Sequence, residues 1–190
     1  MGVTLDEVRA QMGDCRRCML CEGRTNIVFG VGDPHARVMV IGEAPGKNED
    51  LQGEPFVGAA GKFLDELLTE AGLTRESVFI ANILKCRPPG NRDPQVAEIE
   101  QCVPFLRDQI RAIHPDVLVT LGNFSTKFVL KTERGITGLH GTVQRAGRFV
   151  VVPMYHPAAA LYDPSKREVL KKDFAMLGDL LEKIREMWGR

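Results

Sequence analysis

Five cysteines are the residues of this 190-residue chain whose type and spacing point most directly to chemistry. Cys15, Cys18 and Cys21 are spaced three apart, and Cys86 and Cys102 follow far downstream. Thiolates at this spacing can hold one soft metal centre from a single turn of chain. Three of them with one remote ligand suit a cubane iron–sulfur cluster, four also suit zinc, and one cysteine is surplus. The alternative is a set of unrelated free thiols, because an odd number of cysteines does not make a disulfide framework.

A glycine-rich segment between Gly30 and Gly61 predicts a binding loop, because glycine lets backbone N–H groups come close to a ligand. The segment is not one of the common phosphate loops. Phe56 stands where the Walker pattern needs a glycine, and Phe63 stands where it needs serine or threonine. The G-x-G-x-x-G fingerprint is absent from the sequence as well.

Two acids and one aromatic ring in this segment are candidate ligand contacts. Glu43 follows the first predicted strand directly, and Glu49 lies further along the same loop. Both are also compatible with solvated loop acids. Phe56 stands between Pro55 and Val57, which would give a fixed aromatic face for a flat ligand, although a core position fits the pattern equally well.

Asn82 and His156 stand at the ends of two further predicted strands. A buried amide must be paired, and it presents a donor beside an acceptor, which fits the polar edge of a nucleobase. A turn-capping role for Asn82 is the alternative. Pro157 holds His156 extended, and a histidine at this end of a strand is a better catalytic candidate than the other three histidines.

These residues need a scaffold, and the chain alternates strand and helix patterns, as is typical of a parallel sheet covered on both faces. Four apolar runs predict strands at residues 37–41, 78–82, 117–121 and 149–154. Apolar stripes predict helices around 63–68, at 96–113, after a capping Asn123 and at about 166–188. In such folds ligands bind beyond the carboxyl ends of the strands, where the candidate residues collect.

The composition describes an ordinary globular chain and names no partner. Hydrophobic residues make up 44% and charged residues 26%, and 25 cationic side chains balance 25 anionic ones. The longest apolar stretch, 149–155, is too short to span a bilayer, and Asp6 and Glu7 interrupt any signal peptide. We therefore expect a soluble, cytoplasmic protein with a single domain over residues 1–190.

Four motifs resemble those of the family four uracil-DNA glycosylases. They are GEAPG at 42–46, GEPFVGAAG at 53–61, NILKCRPPGNRDP at 82–94 and YHPAAALYDP at 155–164; CRRC at 15–18 and RTNIVFGVGDP at 24–34 also match. The resemblance covers nearly the whole chain. It implies an α/β/α sandwich around a four-stranded parallel sheet. It also implies a 4Fe–4S cluster held by Cys15, Cys18, Cys86 and Cys102, whereas spacing alone would have favoured Cys21 over a remote ligand.

The resemblance further implies an enzyme that flips uracil out of DNA and hydrolyses its glycosidic bond, leaving an abasic site. Phe56 would stack on the base, Asn82 would pair with its polar edge, and Gly42 would belong to the same base pocket. Glu49 would occupy the place of the thymine methyl group. A steric clash is needed there, because one methyl alone discriminates by only about 1–3 kcal/mol.

In the chemistry that the resemblance implies, His156 donates a hydrogen bond to uracil O2 as negative charge develops. The backbone N–H at Glu43 could add a second donor. Family one glycosylases place a water-positioning aspartate where this chain has Ala44, a loss that family four shares. Glu43 is our candidate for that water.

The remaining implied contacts are with the DNA strand. Leu161 resembles the wedge that fills the gap left by the base, and Tyr162 would press on the backbone. Phosphates would be held by basic residues, namely Lys85, Arg87, Arg92, Lys166 and Arg167.

Uracil-containing DNA is thus the expected partner of a monomer that needs no membrane and no obligate protein partner. Three alternatives remain open. One is a related glycosylase that becomes covalently trapped on its product, although that variant carries a basic insertion which this chain lacks. The others are an iron–sulfur redox or DNA-binding protein without turnover and a zinc-bound nucleotide-binding module.

Overall fold

The computed structural model describes residues 2–188, and its centre is a mixed sheet of six strands in the order β1-β3-β2-β4-β6-β5. The strands are β1 Val31–Gly32, β2 Val38–Gly42, β3 Phe79–Asn82, β4 Val117–Leu121, β5 Gln144–Ala146 and β6 Phe149–Met154. β2, β3, β4 and β6 run parallel, as predicted. The four predicted parallel strands are thus confirmed, and β1 and β5 extend the sheet to six strands as short antiparallel edges that were not predicted. These edges have two and three residues, too few to give a readable pattern.

Helices cover both faces of the sheet, which confirms the α/β/α sandwich. They are α1 Leu5–Met12, α2 Leu20–Gly23, α3 Lys47–Gln52, α4 Ala59–Glu70, α5 Val96–Ile113, α6 Gly122–Leu130, α7 Ala159–Tyr162 and α8 Ser165–Trp188. α4 and α8 pack together on one face, while α1, α5 and α6 pack on the other. No helix in the described part of the chain is both long and apolar enough to cross a membrane.

Strand β2 shows why the parallel strands were readable from sequence. All five of its residues are buried. Val38 and Val40 belong to the core beneath α4 and α8, whereas Met39 and Ile41 belong to the core beneath α1 and α5. A strand covered on both faces needs apolar residues at every position, so it appears as a continuous apolar run.

The predicted capping role of Asn123 is wrong. Helix α6 begins at Gly122 directly after β4, without a side-chain cap. The Asn123 side chain instead accepts a hydrogen bond from the backbone N–H of Ile136 at 3.0 Å. Asn123 therefore ties the start of α6 to a later loop.

Candidate functional site

A cavity of about 410 Å³ opens at the carboxyl edge of the parallel strands. Gly42 and Asn82 are directly paired at the ends of β2 and β3, and His156 follows β6. The lining comprises Glu43, Ala44, Pro45, Gly46, Glu49, Phe56, Ala60, Asn82, Pro88, Asn91, Arg92, His156 and Ala158. This volume is in the range of small-molecule sites, which leaves room for one flat heterocycle.

Phe56, Asn82 and His156 meet in this cavity although they are far apart in the chain. The rings of Phe56 and His156 have centroids 5.5 Å apart and planes inclined by 28°. Gly42 makes room for Phe56 and Asn82 at the end of β2. A Cβ at that position would lie 2.3 Å from Asn82 Oδ1 and 2.8 Å from the Phe56 ring.

The amide of Asn82 presents an unsatisfied acceptor. The residue is 2% exposed, and no donor in the described part of the chain reaches its Oδ1. A buried polar atom without a partner is costly, so the site favours a ligand that brings an N–H group to it.

His156 is held as a neutral imidazole with a defined tautomer. Its Nδ1 accepts a hydrogen bond from the backbone N–H of Ala158 at 3.1 Å, so the ring proton lies on Nε2. Burial lowers the pKa of His156 to about 4, partly opposed by the negative charge of Glu49. The ring is therefore a hydrogen-bond donor, and not an acid, at neutral pH.

The two predicted acids have different surroundings. Burial raises the pKa of Glu43, and the neighbouring Asp93 carboxylate raises it further. The Glu49 carboxylate instead accepts three backbone N–H groups, from Gly46 at 3.1 Å, Val57 at 3.0 Å and Gly58 at 3.3 Å. Glu49 thus lines the cavity and also braces the loop around it.

Two predicted DNA contacts, Leu161 and Tyr162, end helix α7 and are 48% and 89% exposed. Two large, exposed side chains beside the cavity suit a wedge that enters a nucleic acid. Such wedges unstack a base step.

The predicted phosphate-binding cations differ in how they are engaged. Arg87 donates to Asn91 at 2.7 Å, and Lys166 lies 4.4 Å from the ring centre of Tyr155. The other two predicted cations, Arg92 and Arg167, bind carboxylates. Arg92 donates two hydrogen bonds to Glu98, and Arg167 donates one to Glu66.

The prediction that Lys85 holds a phosphate is wrong. Lys85 is 1% exposed, and its ammonium donates to the backbone oxygen of Asn82 at 2.8 Å and to Gln109 Oε1 at 2.7 Å. Gln109 in turn donates to the backbone oxygen of Phe29 at 2.8 Å. Burial lowers the pKa of Lys85 to about 8. The side chain therefore supports the residue beside it in the site and does not reach solvent.

A second, small cavity is lined by four cysteines, Cys15, Cys18, Cys86 and Cys102. Cys21, which the structure also describes, lies outside this lining. The four thiols are therefore the set that the resemblance selects.

Two N–H donors already point at sulfur atoms of this four-cysteine site. Arg24 donates to Cys86 at 3.5 Å, and the backbone N–H of Lys85 donates to Cys102 at 3.2 Å. Burial raises the pKa of Cys86 to about 11, so binding a metal centre there must release protons. Among the described residues, no three Cys, His, Asp or Glu side chains surround a point that could hold a single metal ion.

Sequence patterns predict no role for three residues whose side chains support the two sites, Arg24, Arg75 and Gln109, although Arg24 begins the matching segment at 24–34. Arg24 bonds a cysteine sulfur, Arg75 bonds the backbone of Phe56, and Gln109 bonds Lys85. Their partners lie 62, 19 and 24 residues away in the chain, so no local spacing could have singled them out.

Comparisons with known proteins show which family this sequence matches. The sequence model of the uracil DNA glycosylase superfamily matches residues 29–185. A protein of Archaeoglobus fulgidus named type-4 uracil-DNA glycosylase is 46% identical over 188 residues, covering 95% of this chain and 94% of its own length. A protein of the same name from Thermotoga maritima is 38% identical, covering 94% of this chain and 95% of its own length. A type-5 uracil-DNA glycosylase of Pyrobaculum aerophilum is 33% identical, covering 67% of this chain and 63% of its own length.

Proposed function

The chain belongs to the type-4 uracil-DNA glycosylases of the uracil DNA glycosylase superfamily, and from this premise we propose how it excises uracil. It flips the nucleotide out of DNA, hydrolyses the glycosidic bond and leaves an abasic site. The observation that carries the proposal is the meeting of Phe56, Asn82 and His156 in one cavity. The enzyme acts on uracil-containing DNA as a cytoplasmic monomer, with residues 1–190 as one domain.

Asn82 and Phe56 recognise the flipped base. The unsatisfied Oδ1 of Asn82 accepts the N3–H of uracil, and its amide nitrogen donates to O4. The Phe56 ring, packed beside Gly42, stacks on the base. Cytosine lacks the N3–H, so it would leave Oδ1 unpaired. Glu49, fixed by its three backbone donors, stands where thymine carries its methyl group.

His156 stabilises the leaving base. The C1′–N1 bond breaks with its electron pair passing to the uracil ring, while positive charge develops on the sugar. The Nε2–H of His156 donates to O2 of that anion. One aimed donor of this kind is worth about 3–4 kcal/mol in the transition state. Because the imidazole is neutral at pH 7, it does this without transferring its proton.

Glu43 is the residue that orients the water. It lines the cavity beside Ala44. The other predicted acid in the lining, Glu49, already uses its carboxylate to accept three backbone N–H groups. The water adds its oxygen to C1′, and its proton passes to the Glu43 carboxylate.

The DNA strand is held at the rim of the cavity. Leu161 fills the gap left by the base, and Tyr162 lies against the strand, as their exposure supports. Phosphates bind Arg87 and Lys166, and Arg92 and Arg167 contribute from their carboxylate-bound positions.

The four-cysteine site fits a 4Fe–4S cluster better than one metal ion. Each thiolate of a cubane binds a different iron, so its ligands need not converge on a single point. Two N–H···S bonds and the nearby cations suit an anionic centre. Cys15 and Cys18 in the amino-terminal segment, Cys86 after β3 and Cys102 on α5 would hold it, and the cluster would then cross-link these three parts of the chain. Iron analysis should find about four irons per chain, whereas a colourless zinc protein would contradict this assignment.

The activity is tested with an oligonucleotide that contains one uracil and with its thymine twin, each followed by alkali. Only the uracil strand should break, and two intact strands would refute the proposed function.

His156→Ala should lower the single-turnover rate about 100- to 1000-fold while DNA binding is retained. His35→Ala, at an exposed histidine outside the cavity lining, is the control and should cleave like the wild type. An unchanged rate for His156→Ala would remove His156 from the chemistry.

A further inference from the structure

Phe56 has a backbone conformation that a bulky side chain rarely adopts. Its φ is 54°, in the left-handed region. Such a conformation costs about 1–3 kcal/mol and persists only where the surrounding structure enforces it. The same residue carries the aromatic face of the cavity, so whatever enforces its backbone also places the ring.

Arg75 holds this backbone from the side away from the cavity. Its Nη1 donates to the oxygen of Pro55 at 3.0 Å, and its Nη2 donates to the oxygen of Phe56 at 2.6 Å. The Nε of Arg75 is fixed by Asp65 on α4 at 2.9 Å. The side chain is only 20% exposed, and Arg75 is not among the residues that line the cavity.

Glu49 holds the next two residues from the other side. Its Oε1 accepts from the backbone N–H groups of Val57 and Gly58, directly after Phe56. Gly61 on α4 completes the enclosure, because a Cβ there would lie 1.8 Å from the Phe56 oxygen. A guanidinium thus binds the carbonyl groups of Pro55 and Phe56, and a carboxylate binds the amide groups of the two residues that follow. Both are charge-assisted hydrogen bonds, which are the stronger kind.

We propose that Arg75 is a positioning residue: opposite Glu49, it holds Phe56 in its left-handed conformation and thereby forms the stacking face before DNA binds. The inference rests on the proposed function, since it assigns Arg75 to the placement of the ring that stacks on uracil. Without the two guanidinium N–H donors of Arg75, the carbonyl groups of Pro55 and Phe56 lose their hydrogen bonds, and Phe56 can relax towards ordinary φ values. The ring then spends less time where the base must stack.

The test is a double-substitution cycle of Arg75 and Phe56, read as single-turnover cleavage of the uracil oligonucleotide. Arg75→Gln should lower the rate ~10- to 100-fold, because displacement of a contacting group by about 1 Å has effects of this size. In the Phe56→Ala background the same substitution should cost roughly 2-fold or less, because the two residues act as one unit. A purely structural role would not depend on the ring.

Arg111→Gln is the matched control, because Arg111 makes an exposed ion pair with Asp108 on α5. Thermal midpoints are measured for each variant so that rates are compared at a temperature where all are folded. Arg75→Lys keeps a cation beside Asp65 but cannot donate to both carbonyl groups at once. It replaces Arg75→Gln in the cycle if Arg75→Gln does not fold.

The outcomes separate the two proposals. Wild-type protein that leaves the uracil strand intact refutes the proposed function. If the wild type cleaves but Arg75→Gln is as fast as Arg111→Gln, the positioning role of Arg75 is refuted. The role is also refuted if Arg75→Gln costs as much in the Phe56→Ala background as in the wild type.

Discussion

At the scale of single residues, the cavity presents one defined hydrogen-bond donor and one unpaired acceptor. The Nδ1 of His156 accepts a hydrogen bond from the backbone N–H of Ala158, and burial lowers the pKa of the ring to about 4. The Nε2–H donor is therefore present at every pH above about 4. Asn82 contributes a complementary feature, a buried acceptor to which no described protein group donates. Both groups are set before the substrate arrives, so little reorganisation is needed during the reaction.

The pH dependence of the rate should follow Glu43. Glu43 must be ionised to accept a proton from water, so the rate falls as pH drops through its pKa, which burial and Asp93 raise above 4.5. Asp93→Asn removes a neighbouring negative charge, lowers the pKa of Glu43 and moves the acidic limb of the pH–rate profile to lower pH. The measurement is the single-turnover rate between pH 4 and pH 8.

Asp108→Asn, on the outer part of α5, should leave the acidic limb in place. If Asp93→Asn leaves the limb unchanged or moves it to higher pH, Glu43 is not the base. A limb near the ordinary histidine value of 6.5 would instead contradict the lowered pKa of His156.

At the scale of elements, the segment after β3 joins the cavity that contains Phe56, Asn82 and His156 (the base cavity) to the rest of the fold. Strand pairing continues past β3, because Ile83 N–H bonds the oxygen of Gly42 and Leu84 N–H bonds the oxygen of Glu43. The Lys85 ammonium then holds the oxygen of Asn82 and the side chain of Gln109 on α5. One buried cation thus fixes the end of β3 against a helix. These hydrogen bonds hold Asn82 in position.

Gln109→Leu should destabilise the protein by about 1–3 kcal/mol. The substitution leaves the buried Lys85 ammonium with one fewer acceptor and removes the donor to Phe29. Equilibrium unfolding in urea measures the loss. Gln11→Leu, at an exposed position on α1, is the control and should stay within about 0.5 kcal/mol of the wild type. Equal stability of the two variants would contradict the importance of the network.

At the scale of the whole molecule, the four-cysteine site connects segments that are distant in the chain. Cys15 and Cys18 precede α2, Cys86 follows β3, and Cys102 lies on α5. The site therefore joins the amino-terminal segment to the layer behind the base cavity. Arg24 adds to this connection, since it binds the oxygen of Cys15 at 2.6 Å as well as the sulfur of Cys86.

Two cysteine variants test the ligand set. Cys102→Ala should lose bound iron and lower the melting temperature, because a ligand of the proposed cluster is removed and the cross-link with it. Cys21→Ala should keep both, because Cys21 does not line the four-cysteine cavity. Iron content and thermal unfolding are measured on both proteins. Iron loss in Cys21→Ala with retention in Cys102→Ala would reverse the assignment.

The sequence by itself determined the layered fold, the edge of the sheet that carries the site and the residues that meet there. Buried parallel strands are continuous apolar runs, and their carboxyl ends necessarily lie at one edge. Asn82 and His156 could therefore be placed at this edge without coordinates, whereas Phe56 and the roles of all three came from the motif resemblance. The choice of Cys102 over Cys21 came from motif resemblance, because spacing alone favoured the nearer thiol.

Only the tertiary structure decided which polar groups pair. Lys85 appeared to be a solvent-facing cation in sequence, yet its ammonium is buried against Gln109, 24 residues away. Arg75 had no recognisable pattern, and its role became visible only through its bonds to Pro55 and Phe56. Apolar periodicity repeats within one element and can be read locally. A hydrogen bond between distant residues depends on how the elements pack, which local sequence does not encode.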